Sequence, residues 1–136
     1  MFKVVDNFLE KEYFNEIQKT MLGGNFPWYH SYGITKEETK KDNFYFVHNF
    51  YRDFSPSSNY FNLLKFFLDK IECKSIIGIK GNTYFKTNKK EIHASHIDYP
   101  FKHKGCLLYI NDNNGLTYFG KKSVKPKANR VVFFDP

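Results

Sequence analysis

The tripeptide His96-Ile97-Asp98 contains side chains that could hold a metal ion. Side chains two residues apart on a β-strand point to the same face of the sheet. On a strand, the His96 imidazole and the Asp98 carboxylate would therefore converge on one cation. Two imidazoles and one carboxylate on one face of an octahedral iron(II) ion leave three positions open for other ligands. The tripeptide therefore predicts two ligands of such a site, although its spacing alone also fits a surface histidine beside a turn aspartate.

The other four histidines are weaker candidates for a third ligand. His93 lies three residues before His96, and this odd spacing would place it on the opposite face of a strand. His30 and His48 lie in the N-terminal half, where we predict surface or core-edge positions. His103 lies in a polar turn and could reach the metal only if that turn folds back. His103 or a water molecule is therefore the best remaining candidate for the third position.

The composition indicates one globular domain with an aromatic core. The chain has 136 residues, of which 41% are hydrophobic and 20% are aromatic, with 16 Phe and 10 Tyr. Such large rings fill the wide core of a sheet sandwich, so we expect a β-rich fold.

No apolar run reaches the length of a membrane span, and no signal peptide is recognisable. The two cysteines have no metal-binding spacing, which indicates free thiols and a cytoplasmic protein.

The net charge of +7 raises the question of a nucleic-acid partner. The basic residues are spread along the chain, with no run longer than two, and nineteen of the 21 are lysines. Arginine is the better donor for phosphates and base edges. We therefore interpret most of the lysines as solvated surface, and a nucleic-acid partner remains the less favoured interpretation.

Hydrophobic periodicity predicts an α+β domain. Apolar residues recur at the helical period within residues 10–22 and 59–72. Strand-like segments are predicted at residues 3–8, 44–54, 75–86, 92–96, 105–110, 115–119 and 129–134. The Asn-Gly pair in residues 111–115 predicts a hairpin turn, and residues 34–43 are predicted to form an exposed loop or lid. Helices followed by evenly spaced strands suggest a helical support region in residues 1–73 and a jelly roll in residues 74–136.

Four stretches in this order resemble the prolyl-hydroxylase type of 2-oxoglutarate/iron(II)-dependent oxygenases. The stretches are Ile79-Lys80-Gly81-Asn82-Thr83-Tyr84, His96-Ile97-Asp98-Tyr99-Pro100, Leu107-Leu108-Tyr109-Ile110-Asn111 and Asn129-Arg130-Val131-Val132-Phe133-Phe134-Asp135. The chain is most similar to the small phage-type members, and the resemblance covers nearly all of it. It implies a double-stranded β-helix, or jelly roll, with N-terminal helices packed on it.

The resemblance also implies roles for individual residues. His96 and Asp98 match the first histidine and the acid of the metal triad. Tyr84 matches a tyrosine beside the keto acid, and Tyr109 matches a tyrosine whose hydroxyl reaches the distal carboxylate of 2-oxoglutarate. Arg130 is expected to be structural. The implied cofactors are Fe(II) and 2-oxoglutarate, with ascorbate as a further candidate, and the implied reaction uses dioxygen to hydroxylate an unidentified substrate while 2-oxoglutarate becomes succinate and carbon dioxide.

The sequence departs from the family pattern at its end. In the family, a distal histidine ligand and a basic residue for 2-oxoglutarate follow the strand that matches residues 129–134, whereas this sequence ends at Pro136. We therefore expect a domain truncated before its last strands, with little metal and no activity as it stands. An apolar strand at residues 129–134 without a partner would also be an aggregation hazard, which favours truncation.

Two other classes of function remain open. A basic, aromatic-rich β-domain could bind single-stranded nucleic acid by stacking, and this hypothesis predicts aromatic rings exposed on one sheet face. A catalytically silent jelly-roll module used for protein interaction would have the same fold with a blocked pocket. The oxygenase hypothesis predicts that Tyr84, His96, Asp98 and Tyr109 converge.

Overall fold

The computed structural model describes residues 1–33 and 44–136, and the loop or lid predicted at residues 34–43 lies outside them. A short 3-10 helix spans Phe61–Leu64. The other elements, in chain order, are β1 (Phe2–Val5), α1 (Lys11–Leu22), β2 (Tyr29–Tyr32), β3 (Phe44–Arg52), β4 (Ser55–Pro56), α2 (Lys65–Lys70), β5 (Ile79–Thr83), β6 (Gly105–Tyr109), β7 (Thr117–Phe119), β8 (Lys122–Val124) and β9 (Arg130–Phe134).

The predicted α+β class is confirmed. Among the described residues, the strands form antiparallel sheets of three, four and two strands, and these do not close into a barrel. The chain falls into two compact units: unit 1 combines Met1–Gly24 with His96–Pro136, and unit 2 is Asn25–Ser95. These bounds differ from the predicted division between residues 73 and 74, because strands from both ends of the sequence assemble in unit 1.

Unit 1 contains a three-stranded sheet in the order β1-β9-β6. Both neighbours of β9 are antiparallel to it, and Val132 lies opposite Val4 on one side and Leu107 on the other. The expectation that the strand at residues 129–134 lacks a partner is therefore wrong. That strand is central, because the first strand of the chain pairs with it across nearly the whole sequence.

Both faces of this sheet are covered. Val131 and Val132 point to opposite faces because they are adjacent on β9, and both are fully buried. On one face, Val132 and Tyr109 pack with Val124 of the β7–β8 hairpin. The hairpin turns at Gly120, whose φ of +59° is readily adopted only by glycine.

Helix α1 belongs to the same unit and matches the predicted helix closely. Its buried residues Phe14, Ile17 and Met21 form one stripe. The side-chain amide of Gln18 donates to the Ile110 carbonyl oxygen at 2.6 Å, directly after β6. The helix ends at Gly23, whose backbone N–H donates to Thr20. Helical spacing of apolar residues followed by glycine was therefore sufficient to locate this element.

Unit 2 is organised around β3. Strands β2 and β4 pair with successive parts of β3, and β5 pairs along its other edge. The buried residues of this unit are mainly aromatic: they are Phe26, His48, Phe50, Leu64 and Phe67, and the rings of Phe26, His48 and Phe50 contact one another. The aromatic composition thus indicated the character of the core correctly.

Three local predictions were wrong. Residues 92–96 form no strand, and Ile92, their one large aliphatic residue, is 78% exposed. Without burial, nothing offsets the conformational entropy lost by ordering a strand. The turn at residues 111–115 connects two sheets, because β6 pairs with β9 and β7 pairs with β8. The helix predicted at residues 59–72 is a 3-10 turn followed by the shorter helix α2.

Candidate functional site

His96 and Asp98 lie close together at the start of the second segment of unit 1. The His96 Nε2 atom is 3.7 Å from the Asp98 Oδ1 atom, and the two side chains are 45% and 48% exposed. They lie in an extended connection and not on the strand that the sequence predicts. Metal–ligand distances of about 2.1 Å place adjacent ligand atoms about 3 Å apart, so a small rotation would let both atoms bind one cation.

The described residues do not complete a metal site. In residues 1–33 and 44–136, no group of three or more His, Cys, Asp or Glu side chains is placed to hold an ion. The expectation that His103 supplies the third ligand is therefore not met. Its Nδ1 atom lies 2.7 Å from the Phe101 carbonyl oxygen, and its ring contacts Tyr99 within the same turn. This local hydrogen bond holds the His103 ring in its own turn.

Tyr109 places a buried hydroxyl inside unit 1. Its side chain is 8% exposed, and its hydroxyl makes no hydrogen bond to any described residue. Burial raises the pKa of this hydroxyl, while the nearby Thr117 and the Arg130 guanidinium offset part of the effect. A buried hydroxyl without a partner costs about 1–3 kcal/mol. The hydroxyl belongs to the sheet face that packs against the β7–β8 hairpin, and it keeps an unused capacity to donate a hydrogen bond.

Tyr84 belongs to unit 2, whereas His96, Asp98 and Tyr109 belong to unit 1. It directly follows β5 and is about half exposed. Its ring stacks on Tyr45, with centroids 5.5 Å apart, and on His93, with centroids 6.1 Å apart. The role of Tyr84 beside a keto acid stays a prediction.

Arg130 makes the contacts of a structural residue, as the sequence predicts. Its Nε and Nη2 atoms donate to the Asp6 carboxylate at 2.5 and 3.0 Å, and its Nη1 atom donates to the Lys125 carbonyl oxygen at 2.8 Å. The Lys127 ammonium group also donates to Asp6, at 3.1 Å. This network joins the residue after β1 to β9. Sequence reasoning missed Asp6, because its partners lie more than 120 residues away.

The Asp6 network predicts a specific pH dependence. Hydrogen bonds from Arg130 and Lys127 lower the pKa of Asp6 from 3.8 to about 2. A lowered pKa in the folded state means that Asp6 contributes stability above pH 3.8 and that this contribution is lost as the pH falls toward 2. In urea titrations between pH 5 and pH 2, we expect the unfolding midpoint of the wild type to fall more steeply than that of Asp6→Asn.

The control for this prediction is Asp53→Asn, which changes an exposed carboxylate paired only with its neighbour Arg52. Its pH profile should follow that of the wild type, apart from a constant offset. Parallel profiles for the wild type and Asp6→Asn would show that the Arg130 network does not couple the ionisation of Asp6 to folding.

A surface cavity of about 440 Å³ lies beside this network. Its lining includes Asp112, Lys125, Lys127 and Arg130. Three of these four side chains already have partners within the protein, since Asp112 accepts a hydrogen bond from the Ala128 backbone and the other two are bonded to Asp6. The cavity therefore offers few unsatisfied groups to a ligand.

Asn129 is a buried polar residue that sequence reasoning also missed. Its side chain accepts a hydrogen bond from the Leu9 N–H and donates one to the Leu9 carbonyl oxygen, each at 2.8 Å. Its own backbone pairs with Tyr109 and Phe8. Because Tyr109 and Asn129 are joined in this way, Asn129 helps to fix the position of Tyr109.

A comparison of the chain with models of known protein families, with curated proteins and with solved structures found no match. No helix among residues 1–33 and 44–136 is long and apolar enough to cross a membrane.

Proposed function

We propose that the chain carries part of the active site of a 2-oxoglutarate- and iron(II)-dependent oxygenase. The observation that carries this proposal is the buried Tyr109 hydroxyl, which has no hydrogen-bond partner among the described residues. The family resemblance assigns to this tyrosine the distal carboxylate of 2-oxoglutarate. An anionic oxygen at that position would accept the hydrogen bond that the protein leaves unmade.

His96 and Asp98 would supply two of the protein ligands to iron. Their donor types suit a non-haem iron(II) ion, and their separation of 3.7 Å is close to that of adjacent ligands. The third ligand is not among the described groups, so these residues fit the metal only in part. When bound, iron and 2-oxoglutarate would supply an oxidative decarboxylation that is coupled to substrate hydroxylation.

The same proposal includes a specific fold, the double-stranded β-helix. We take the Tyr109 face of the β1-β9-β6 sheet as the inner surface of a double-stranded β-helix. The packing of the β7–β8 hairpin over Tyr109 and Val132 supports this assignment, since it places the hydroxyl in a covered space. The covering also keeps bulk water away from the Tyr109 hydroxyl, which strengthens a hydrogen bond made there. The substrate to be hydroxylated stays unidentified.

Tyr109→Phe tests the proposal with two readouts. The free energy of unfolding should not fall, because the lost hydroxyl has no partner in the folded protein. The dissociation constant for 2-oxoglutarate should rise by about tenfold or more, because a hydrogen bond to a charged group is worth about 1.5–3 kcal/mol. Calorimetric titration with 2-oxoglutarate in excess Mn(II), a redox-stable substitute for Fe(II), measures the second effect.

The matched control is Tyr118→Phe, since Tyr118 lies on the nearby strand β7 with its side chain exposed. It should bind 2-oxoglutarate like the wild type. His96→Ala and Asp98→Ala should instead remove the dependence of 2-oxoglutarate binding on metal. Equal affinities for 2-oxoglutarate in the wild type and Tyr109→Phe, or binding by His96→Ala and Asp98→Ala that still depends on metal, would contradict the proposal.

A further inference from the structure

Unit 2 displays a set of aromatic rings on one face of its sheet. His30 and Tyr32 on β2 lie opposite Phe46 and Phe44 on β3, so these four side chains share a face. Phe85, just beyond β5, joins them with its ring 5.3 Å from that of Phe46. We call these five residues the aromatic face. All of them except the partly buried Phe46 are exposed.

The rings of the aromatic face contact one another and leave much of their surface open. His30 stacks on Phe44 at 5.3 Å and meets Tyr32 edge-on at 4.4 Å. Tyr32 is 81% exposed and Phe85 is 62% exposed. The other end of the same face of β3 is different, because His48 and Phe50 are buried there under Phe26. The exposed rings therefore continue the buried aromatic row of β3, but no residue of the described unit buries them.

The charge beside the aromatic face indicates what could cover it. Lys86 directly follows Phe85, Lys89 and Lys90 come four and five residues after Phe85 in the sequence, and all three lysines are exposed. Residues 79–95 contain four lysines and one acidic residue, Glu91. Aromatic rings alone would also suit a sugar or an apolar peptide. Rings next to a lysine cluster match a chain that carries flat bases and regularly spaced negative charges.

We infer that the aromatic face binds single-stranded nucleic acid, with bases stacked on Tyr32, Phe44 and Phe85 and phosphates near Lys86, Lys89 and Lys90. Bases stack on sheet aromatics in this way only when they are unpaired, so duplexes should bind more weakly. The inference is independent of the proposed oxygenase site, because it involves none of Tyr84, His96, Asp98 and Tyr109.

Fluorescence anisotropy with a labelled oligothymidylate of about 16 nucleotides tests the inference. Tyr32→Ser, Phe44→Ser and Phe85→Ser should each weaken binding by about fivefold to a hundredfold. Tyr32→Phe should keep the wild-type affinity, since it retains the ring. The control Phe54→Ser changes a ring that is 87% exposed at the far end of β3, and it should also bind normally.

The lysines are tested through the dependence of binding on salt. Replacing Lys86, Lys89 and Lys90 together with alanine should reduce the slope of log affinity against log salt by about 2. Because all six side chains are exposed, thermal melts should show that the variants fold. The inference is overturned if the wild type does not bind the oligonucleotide at low salt, if the ring variants bind as the wild type does, or if duplex binds equally well. It is also overturned if sedimentation shows that the ring variants abolish self-association instead, since the face would then join two copies of the chain.

Discussion

Asn129→Ala should lower the free energy of unfolding by about 3–8 kcal/mol. The substitution leaves the buried N–H and carbonyl groups of Leu9 without partners, at about 1–3 kcal/mol for each group. Asn129 also has a φ of +61°, a conformation that asparagine tolerates and that costs alanine about 1–2 kcal/mol. Urea unfolding followed by circular dichroism measures the loss.

Two further variants separate these contributions. Asn129→Gly removes the same hydrogen bonds but tolerates a positive φ, so its loss should be about 1 kcal/mol smaller than that of alanine. Asn114→Ala changes an exposed asparagine of the same unit and should alter stability by less than about 0.5 kcal/mol. A loss below 1 kcal/mol for Asn129→Ala would mean that water replaces the side chain and that Asn129 does not anchor Leu9.

His48→Ala should destabilise the chain by about 3–5 kcal/mol. The His48 side chain is 3% exposed, and its ring lies 4.4 Å from Phe26 and 4.6 Å from Phe50. Its Nδ1 atom must donate to the Pro27 carbonyl oxygen at 2.7 Å, because a carbonyl can only accept, and its Nε2 atom lies 2.7 Å from the Ser58 hydroxyl. Alanine would therefore leave a cavity among the rings and remove two hydrogen bonds.

The contribution of packing can be distinguished from that of hydrogen bonding at this site. Ser58→Ala keeps the imidazole in place but removes the partner of Nε2 and the acceptor of the Tyr60 N–H, so it should cost about 1–2 kcal/mol. His103→Ala changes a histidine bonded only within its own turn and should cost less than about 1 kcal/mol. Equal losses for His48→Ala and Ser58→Ala in thermal and urea unfolding would show that packing of the ring contributes little.

The sequence located those elements whose signals are local. Helix α1 and strands β6 and β9 lie within one or two residues of their predicted bounds, because apolar spacing and a terminal glycine act over a few residues. Pairing is not a local property. Nothing in residues 2–5 indicates that they pair with residues 131–134, and the sequence-based expectation of an unpaired last strand was wrong for that reason.

The candidate site likewise combines features that depend on local sequence with features that depend on long-range contacts. The sequence predicts that His96 and Asp98 approach each other on a strand; their side chains lie 3.7 Å apart, but in an extended connection, so strand alternation does not explain the approach. The orphan hydroxyl of Tyr109 required the structure, because burial and hydrogen bonding depend on the β7–β8 hairpin and on the neighbouring strand. The sequence places Asp6 and Asn129 within predicted strand segments, and only long-range contacts give them their roles.

The central position of β9 has a consequence for biosynthesis. Residues 25–95 form a continuous stretch that can fold as soon as it leaves the ribosome, whereas β1 must wait for a partner synthesised about 130 residues later. Until then, the apolar side chains of β1 and α1 would stay uncovered in the nascent chain, where exposed apolar surface promotes aggregation. Completion of unit 1 would therefore be a late and slow event, because folding slows as the sequence separation between pairing residues grows.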